Sequence, residues 1–447
     1  MPGRTSDPVA VDPDVRPAAG RDRWAWRWII IAVAVGATIR LVILATKWNQ
    51  SLLLNDSLYY SSQAWQNAQG RWFRDFLGGH PGAEHAPLTS LVLTPSSLLP
   101  RHEFWQRATN TLIGIVTVAL IGRLAWRVAG RRVGVMAAFI AALYPNLWMN
   151  DSLIMAETIS TLTAVIALWF AVRHAERLSL PSALLCGLAV GLATLARSEL
   201  LLLAPLFALI GLRREPWNWV QLRRWAGRAL VVVAAAVALL VPWTLYNLSR
   251  FDAPVLLSTN AGGALLGANC PDTYYGPSVG GWSVLCLIED DRPGEDVSER
   301  SQRWQDQAVT YVENNTRRVP VVVGARLLRA ADLYGLADLV RFDVGEERMR
   351  WASWAGIATW WLMAPLAVVG WLRQPRTGSA GSNASNRWIL LSPAIGVVVV
   401  TVLFYGSHRL RSPIEPVVVI CAASALTAFG RVQRAIDGGM RWADRRG

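Results

Sequence analysis

Ten runs of apolar residues punctuate the chain, at 26–46, 107–129, 133–149, 156–173, 181–196, 199–212, 227–248, 351–372, 388–406 and 412–430. The hydrocarbon core of a bilayer is about 30 Å thick and takes about 20 apolar residues to cross as a helix. The pattern therefore predicts an all-α polytopic membrane protein with about ten transmembrane helices. Runs 181–196 and 199–212 are short and joined by "ARSE", which would also suit one bent hairpin. A further piece, "APLTSLVLTPSSLLP" at 86–100, has only 15 residues and three prolines. The run after residue 22 is too long for a signal-peptide core and lacks a small-residue cleavage site, so it is expected to stay as an anchor.

The polar positions between the runs set the expected topology. Arginine carries nearly all the basic charge: Lys47 is the only lysine, and the formal net charge is +13. Arginines cluster in "GRLAWRVAGRR" (122–132), "RHAER" (173–177), "RREPWNWVQLRRWAGR" (213–228), "RQPRTGSAGSNASNR" (373–387) and the C-terminal tail. With the N-terminus in the cytoplasm and 86–100 re-entrant or interfacial, every one of these falls inside, as the positive-inside bias requires. Counting 86–100 as a crossing would put them all outside.

This topology divides the chain into a disordered cytoplasmic tail (1–22), an N-terminal transmembrane module (23–248), an extracytoplasmic cap (249–350), C-terminal transmembrane helices (351–430) and a cytoplasmic tail (431–447). The first outer loop, 47–106, is expected to hold an amphipathic helix at 57–72. The cap holds 15 acids against 11 arginines and is large enough for helices of its own, for example 298–316 and 319–335. A Gly/Ser/Asn linker lies at 377–386. Cys270 and Cys286 both fall in the cap, where a disulfide would contribute about 3 kcal/mol on the chain-entropy estimate. Cys186 and Cys421 fall inside spans as packing residues.

Composition agrees with a lipid environment. Hydrophobic residues make up 53% and charged residues 17%, against about 45–50% and about 25% in soluble domains. The basic excess brings no compact basic domain or recognition motif, so nucleic acid is excluded as a partner. No Walker loop, HExxH or GxSxG stands in a suitable context.

Candidate chemistry gathers at the outer face. In "LLLNDSLYYSSQAW" (52–65), Asn55 or Asp56 would serve as a helix N-cap, or Asp56 is free for chemistry. Glu84 and His85 stand at the mouth of 86–100; with Asp56 they would hold a divalent metal or handle protons. Asn150, Asp151 and Ser152 offer caps to the run that follows them. Glu157 lies one to two turns into that run, where an ionisable group usually faces a cavity or a partner. Arg197 and Glu199 lie near the same level, and a Glu157–Arg197 pair is expected. "SHRLRSPIEP" (407–416) places His408, Arg409, Arg411 and Glu415 in a very short outer loop, against the topological bias. Arginine's planar fork suits a lipid phosphate. Asn260, Asn269 and Tyr275, beside paired glycines, are neutral groups suited to sugar.

The motifs "NDSLYYSSQAW", "PGAEHAPLTSL", "ALYPNLWMNDSLIMAET", "GLATLARSELLLLAP", "LSTNAGGALLGANC" and "YGSHRLRSPIEP" together resemble the GT-C membrane glycosyltransferases of family 39 type, which include protein O-mannosyltransferases and aminoarabinose transferases. The resemblance runs from the first span to the last and is nearest to the actinobacterial members. It implies a transferase that takes sugar from a polyprenyl-phosphate-linked donor, with Asp56 at the reaction centre and Tyr60 as the tyrosine that follows. The family often has Asp-Glu where this chain has Asp56-Ser57, and His-Pro-Pro where it has His85-Ala86-Pro87.

The mechanism expected on this resemblance is a single displacement at the anomeric carbon. Asp56 would act as base or through a metal, Arg409 and Arg411 on the phosphate, and Glu157 and Arg197 at the floor. The acceptor would be a protein, a lipid or a wall glycan. A transporter or flippase of the lipid-linked sugar is the rival, although no internal repeat of the kind common in transporters is visible. The shared-site expectation requires Asp56, His85, Glu157 and Arg409 to converge.

Overall fold

The computed structural model describes residues 18–75, 79–212, 218–288, 292–374 and 380–443. Among them every regular element is helical, apart from one isolated β-bridge between Arg74 and Pro81. Six helices are long and apolar enough to cross a membrane: Asp22–Thr46, His102–Ala129, Ala156–Arg177, Trp219–Leu248, Arg350–Leu372 and Ser385–Leu403. Leu180–Ala196, Ser198–Ala208 and Glu415–Phe429 are apolar but shorter.

The run 133–149 does not form a single span. Helix Arg131–Leu143 stops after 13 residues, a rise of about 20 Å, and Pro145 opens a separate turn, Pro145–Trp148. The piece 86–100 breaks into Leu88–Leu93 and Pro95–Leu98. A six-residue helix rises about 9 Å, so neither part crosses.

Other boundaries move because a nucleated helix adds a hydrogen bond per residue and runs past its apolar edge. Of the expected tail 1–22, residues 1–17 lie outside the described residues and helix starts at Ala18. Of the linker 377–386, residues up to 379 lie outside them, and Ala380–Leu403 is helical. The last helix reaches Ala443, leaving 444–447 outside the described residues.

Small residues let the helices touch. A Cβ at Gly187 would meet the Val232 carbonyl oxygen at 2.3 Å, so Leu180–Ala196 lies directly on Trp219–Leu248. A Cβ at Gly370 would lie 1.7 Å from the Cys421 carbonyl oxygen, so Arg350–Leu372 and the last helix approach backbone to backbone. Close packing of this kind is what holds helices together in lipid, where apolar burial between them gains little.

The two large loops, 47–106 and 249–350, meet at one end of the bundle, clasped by Glu347. Its carboxylate accepts from Arg107 Nη2 (2.9 Å) and from the Leu53 backbone N–H (3.1 Å). Its carbonyl accepts from Lys47 Nζ (2.8 Å), while Asn55 Nδ2 donates to the Gly345 carbonyl (2.9 Å). Glu347 takes φ +67° to do this, a backbone state that costs about 1–3 kcal/mol in a non-glycine residue. Farther along, Thr259 N–H donates to the Ala83 carbonyl (2.7 Å), and Arg250 donates to the carbonyls of Phe73 and Gly82 (2.7 and 3.0 Å). In the second loop Cys270 and Cys286 are joined by a disulfide with a Cα–Cα distance of 6.3 Å. Its helices are Val297–Asn314, Val319–Ala330 and Leu336–Gly345.

The Gly370 contact is directly testable. Gly370→Ala should lose on the order of 3 kcal/mol through overpacking, read by thermal unfolding in detergent. Gly227→Ala, where a Cβ meets nothing within 4 Å, should unfold at or above the parent temperature. Equal behaviour of the two variants would refute the close helix contact.

Candidate active site

The helix Asp56–Ala68 begins with Asn55 as its cap: Asn55 Oδ1 accepts from the Ser57 N–H at 2.8 Å. Capping therefore does not use Asp56, which is left free to project from the first turn. The same helix carries Tyr59 and Tyr60, both buried. His85 stacks on Tyr60 (centroids 4.9 Å apart, 28° between planes) and meets Tyr59 edge-on at 5.1 Å. This sandwich aims His85 Nε2 at Asp56 Oδ1, 3.5 Å away, too long for a strong hydrogen bond.

Arg409 completes the centre. It sits on the short 3-10 turn His408–Arg411, capped by Ser407 Oγ, which accepts from the Arg409 N–H at 3.2 Å. Its guanidinium donates to three carboxylates at once: Nη2 to Asp56, Nε to Glu157 and Nη1 to Glu346. Glu157 Oε1 also faces Arg197 Nη1 at 3.5 Å and Arg348 Nη2 at 3.7 Å. Arg197 is held by Glu199 at 2.6 Å. Arg348 binds Glu346, Asp343 (3.3 Å) and Asn150 Oδ1 (2.9 Å). Exposure grades across the group: the Glu157 side chain is 1% exposed, Glu346 18% and Asp56 25%. The charged cluster thus has a buried floor at Glu157 and an open rim at Asp56 and Glu346.

Burial opposes ionisation of Asp56, but Arg409 first and His85 next hold its carboxyl well below the usual range. His85 is raised above its ordinary value: burial works against the charge, and Asp56 outweighs it. The Tyr60 phenol, buried and next to Asp56, is pushed well above its usual value. At neutral pH the centre is a carboxylate flanked by an arginine and by a tyrosine that keeps its proton.

The 3-10 turn sends its other side chains elsewhere. His408 Nδ1 meets Asp332 at 2.9 Å and Nε2 meets Asp343 at 3.0 Å. Arg411 binds Asp332 (2.7 Å), the Ala330 carbonyl (2.9 Å) and Glu415 (3.3 Å), and lies 3.8 Å over Trp360. Neither makes an ion pair with Asp56, Glu157 or Glu346, although both line one small cavity with Arg348 and Arg409; the Arg411 guanidinium is taken up by Asp332 and Glu415.

Several other expected residues also lie apart. Asp151 is drawn to Arg40 (2.6 Å) on the first helix and accepts from Thr158 (2.8 Å). Asn269 accepts from Tyr274 Oη and Arg326 Nη2, each at 2.9 Å. Tyr275 is 61% exposed and donates to Asn315 at 3.0 Å. Asn260 opens the helix Asn260–Ala268 in the second loop.

A divalent metal on Asp56, Glu84 and His85 does not fit this geometry. Glu84 is exposed and does not bring a ligand atom within 4.8 Å of the other two. Among the described residues, the one such group is Asp252, Asp296 and Glu299 in the second loop. Arg409 already occupies Asp56, and a dication there would face a guanidinium.

Sequence reasoning missed Glu346, Glu347, Arg348 and Asp343. All stand in "FDVGEERMR" (342–350), a charged stretch abutting an apolar run. That is the same signal that singled out "SHRLRSPIEP".

Residues 84–246 match the family described as dolichyl-phosphate-mannose-protein mannosyltransferase. The whole chain is similar in fold to the oligosaccharyltransferase of Archaeoglobus fulgidus in its apo form, at 13% identity and a TM-score of 0.56, covering 95% of this chain and 53% of that one. It is also similar to ArnT from Cupriavidus metallidurans in the apo state, at 15% identity and a TM-score of 0.51, covering 94% and 64%. The fold is GT-C.

The chain thus spans about half the length of the archaeal oligosaccharyltransferase. Among curated proteins no sequence matches it. This GT-C chain is a multi-pass membrane protein. The family match contains His85, Glu157 and Arg197 but begins after Asp56 and ends before Glu346, Arg348 and Arg409; Asp56 and Arg409 were expected from the sequence, and Glu346 and Arg348 enter through geometry alone.

His408 supplies a test of the network that supports the turn. Burial opposes its charge, but Asp343 and Asp332 raise its pKa from 6.5 to about 9. A raised value means its contribution to stability is complete below the unfolded pKa and is lost as pH rises through about 9. The parent should therefore lose thermal stability between pH 7 and pH 10 more steeply than His408→Gln. Parallel pH profiles would refute the charged bridge.

Proposed function

We propose that this GT-C chain is a membrane glycosyltransferase that moves a sugar from a polyprenyl-phosphate-linked donor to an acceptor on the extracytoplasmic face. The observation that carries the reading is the junction of Asp56, Glu157 and Arg409: a base, a buried counter-charge and a phosphate-binding fork in one group. The family description, which names a dolichyl-phosphate sugar, supports the donor class. So does a cleft lined by Leu200, Leu203, Val397, Val400 and Leu410, with Glu199 among its walls. In this reading its small apolar interior, edged by Glu199, receives the part of the polyprenyl chain next to the phosphate.

The reaction follows from these groups. Asp56 accepts the proton of the acceptor as its oxygen or nitrogen bonds to the anomeric carbon. The bond from that carbon to the donor phosphate oxygen breaks, and the electron pair leaves with the phosphate. Arg409 stabilises the charge that develops there. The transition state is oxocarbenium-like, so the carboxylate of Glu157 below the site favours it electrostatically. Tyr60, kept protonated, and His85 hold Asp56 in position and line the sugar. The second loop, clasped to the first through Glu347, covers the site and shapes entry of the acceptor. A transporter would be expected to place its polar groups at the midplane; here they gather at the end where the loops meet.

Asp56→Asn should lower transfer from a polyprenyl-phosphate sugar by about 10²–10⁴-fold, the usual worth of a general base. Polyprenyl-phosphate binding should be retained, because the variant removes a negative charge beside Arg409. Transfer assays on purified protein, paired with a binding measurement, read both effects. Full activity in Asp56→Asn would remove the base assignment.

A further inference from the structure

Glu346 holds two arginines with one carboxylate. Its Oε1 accepts from Arg409 Nη1 and its Oε2 from Arg348 Nη1. This is the way an anion with several oxygens bridges two guanidiniums, and a phosphate is such an anion. We propose that Arg348 and Arg409 together form the seat of the donor phosphate, and that Glu346 fills this seat until the donor displaces it. The inference rests on the glycosyltransferase reading and adds to it a second phosphate ligand and an internal competitor.

Three observations single out Glu346 among the carboxylates on Arg409. It is the rim group, 18% exposed, whereas Glu157 is 1% exposed and would have to leave a dry interior to give way. Its backbone is fixed on both sides. The Gly345 carbonyl accepts from Asn55, and Glu347 carries Arg107, Leu53 and Lys47. Displacement is then a side-chain rotation into water, with no unfolding of the loop. Lastly, Arg348 keeps Asp343 and Asn150 when Glu346 leaves, and Arg409 keeps Asp56 and Glu157. Both guanidiniums therefore stay oriented: Arg409 Nη1 is released, and Arg348 Nη1 gives up its contact with Glu346 while still donating to Asp343.

The charge balance points the same way. Adding a phosphate while Glu346 stays would bring like charges together at the rim. Exchanging one anion for another keeps the group near neutral, and attraction between the phosphate and the pair has only to exceed that of a single carboxylate. Arg197 adds a third cation nearby through Glu157 Oε1.

The test compares polyprenyl-phosphate binding in detergent for the parent, Glu346→Gln, the double variant Glu346→Gln with Arg348→Gln, and Arg409→Ala, with inorganic phosphate as a second probe. Glu346→Gln should lower the Kd about tenfold, since a competing charge-assisted contact is removed, while its melting temperature falls. A structural role alone would weaken both. The double variant should lose that gain and bind more weakly than the parent. If inorganic phosphate shows the same tightening, the seat reads the phosphate itself. If only the lipid form tightens, the polyprenyl chain is needed to place it, and either result supports the proposal. Unchanged or weaker lipid-phosphate binding in Glu346→Gln, with binding still lost in Arg409→Ala, overturns the inference and leaves the transferase reading standing. Full binding and transfer in Arg409→Ala would sink the reading itself.

Discussion

One guanidinium ties three distant parts of the chain together. Arg409 reaches Asp56 at the start of the first loop, Glu157 in the first turn of a membrane helix, and Glu346 at the end of the second loop. Burying charges removes them from water, and the attraction they gain in return roughly offsets that cost. Such a group is therefore a weak explanation of stability. What it supplies is position: a carboxylate and an arginine cannot drift apart when each is the other's compensation. Removing Arg409 would leave Glu157 buried and short of a counter-charge, whereas Glu346 at the rim can turn to water without dismantling the group.

The turn that carries Arg409 is built to send it one way and its neighbours another. In a 3-10 helix, side chains three apart eclipse each other. His408 and Arg411 therefore share a face and meet the same residue, Asp332. Arg409, one step on, leaves that face and points to Glu157 and Asp56. The flanking pair bolts the turn to the second loop and to the last helix, through Asp343 and Glu415. The loop clasp at Glu347 does for the first loop what this pair does for the turn.

This division explains what could and could not be read from the residues in order. Apolar runs, the two large loops and the non-crossing 86–100 piece were legible because length and charge bias are local properties. Asp56, His85, Glu157, Arg197 and Arg409 were legible because each is an ionisable group where lipid or an interface makes one expensive. Arg411 looked equivalent to Arg409 because periodicity at a three-residue turn is invisible in so short a string. Asp151 looked like a cap or a ligand because its partner, Arg40, lies 111 residues away on the first helix. Glu346 and Arg348 were overlooked because "GEER" resembles any solvated loop edge. Only the clasp at Glu347, a long-range contact with Arg107, turns that edge inward.

The same geometry bears on the chemistry of Asp56. While Arg409 holds it, the carboxylate is well below its ordinary pKa, and a strongly stabilised carboxylate is a poor base. On the proposed reading, a phosphate that takes the place of Glu346 on Arg409 shares that guanidinium with Asp56, as Glu346 does in its absence. Glu157 keeps Arg409 from leaving altogether. It lies at the buried floor, its Oε2 makes no hydrogen bond, and it retains the Nε contact whichever anion occupies the rim. On the proposed reading, donor binding at the rim and proton transfer at Asp56 thus share one guanidinium, held in place from below by Glu157.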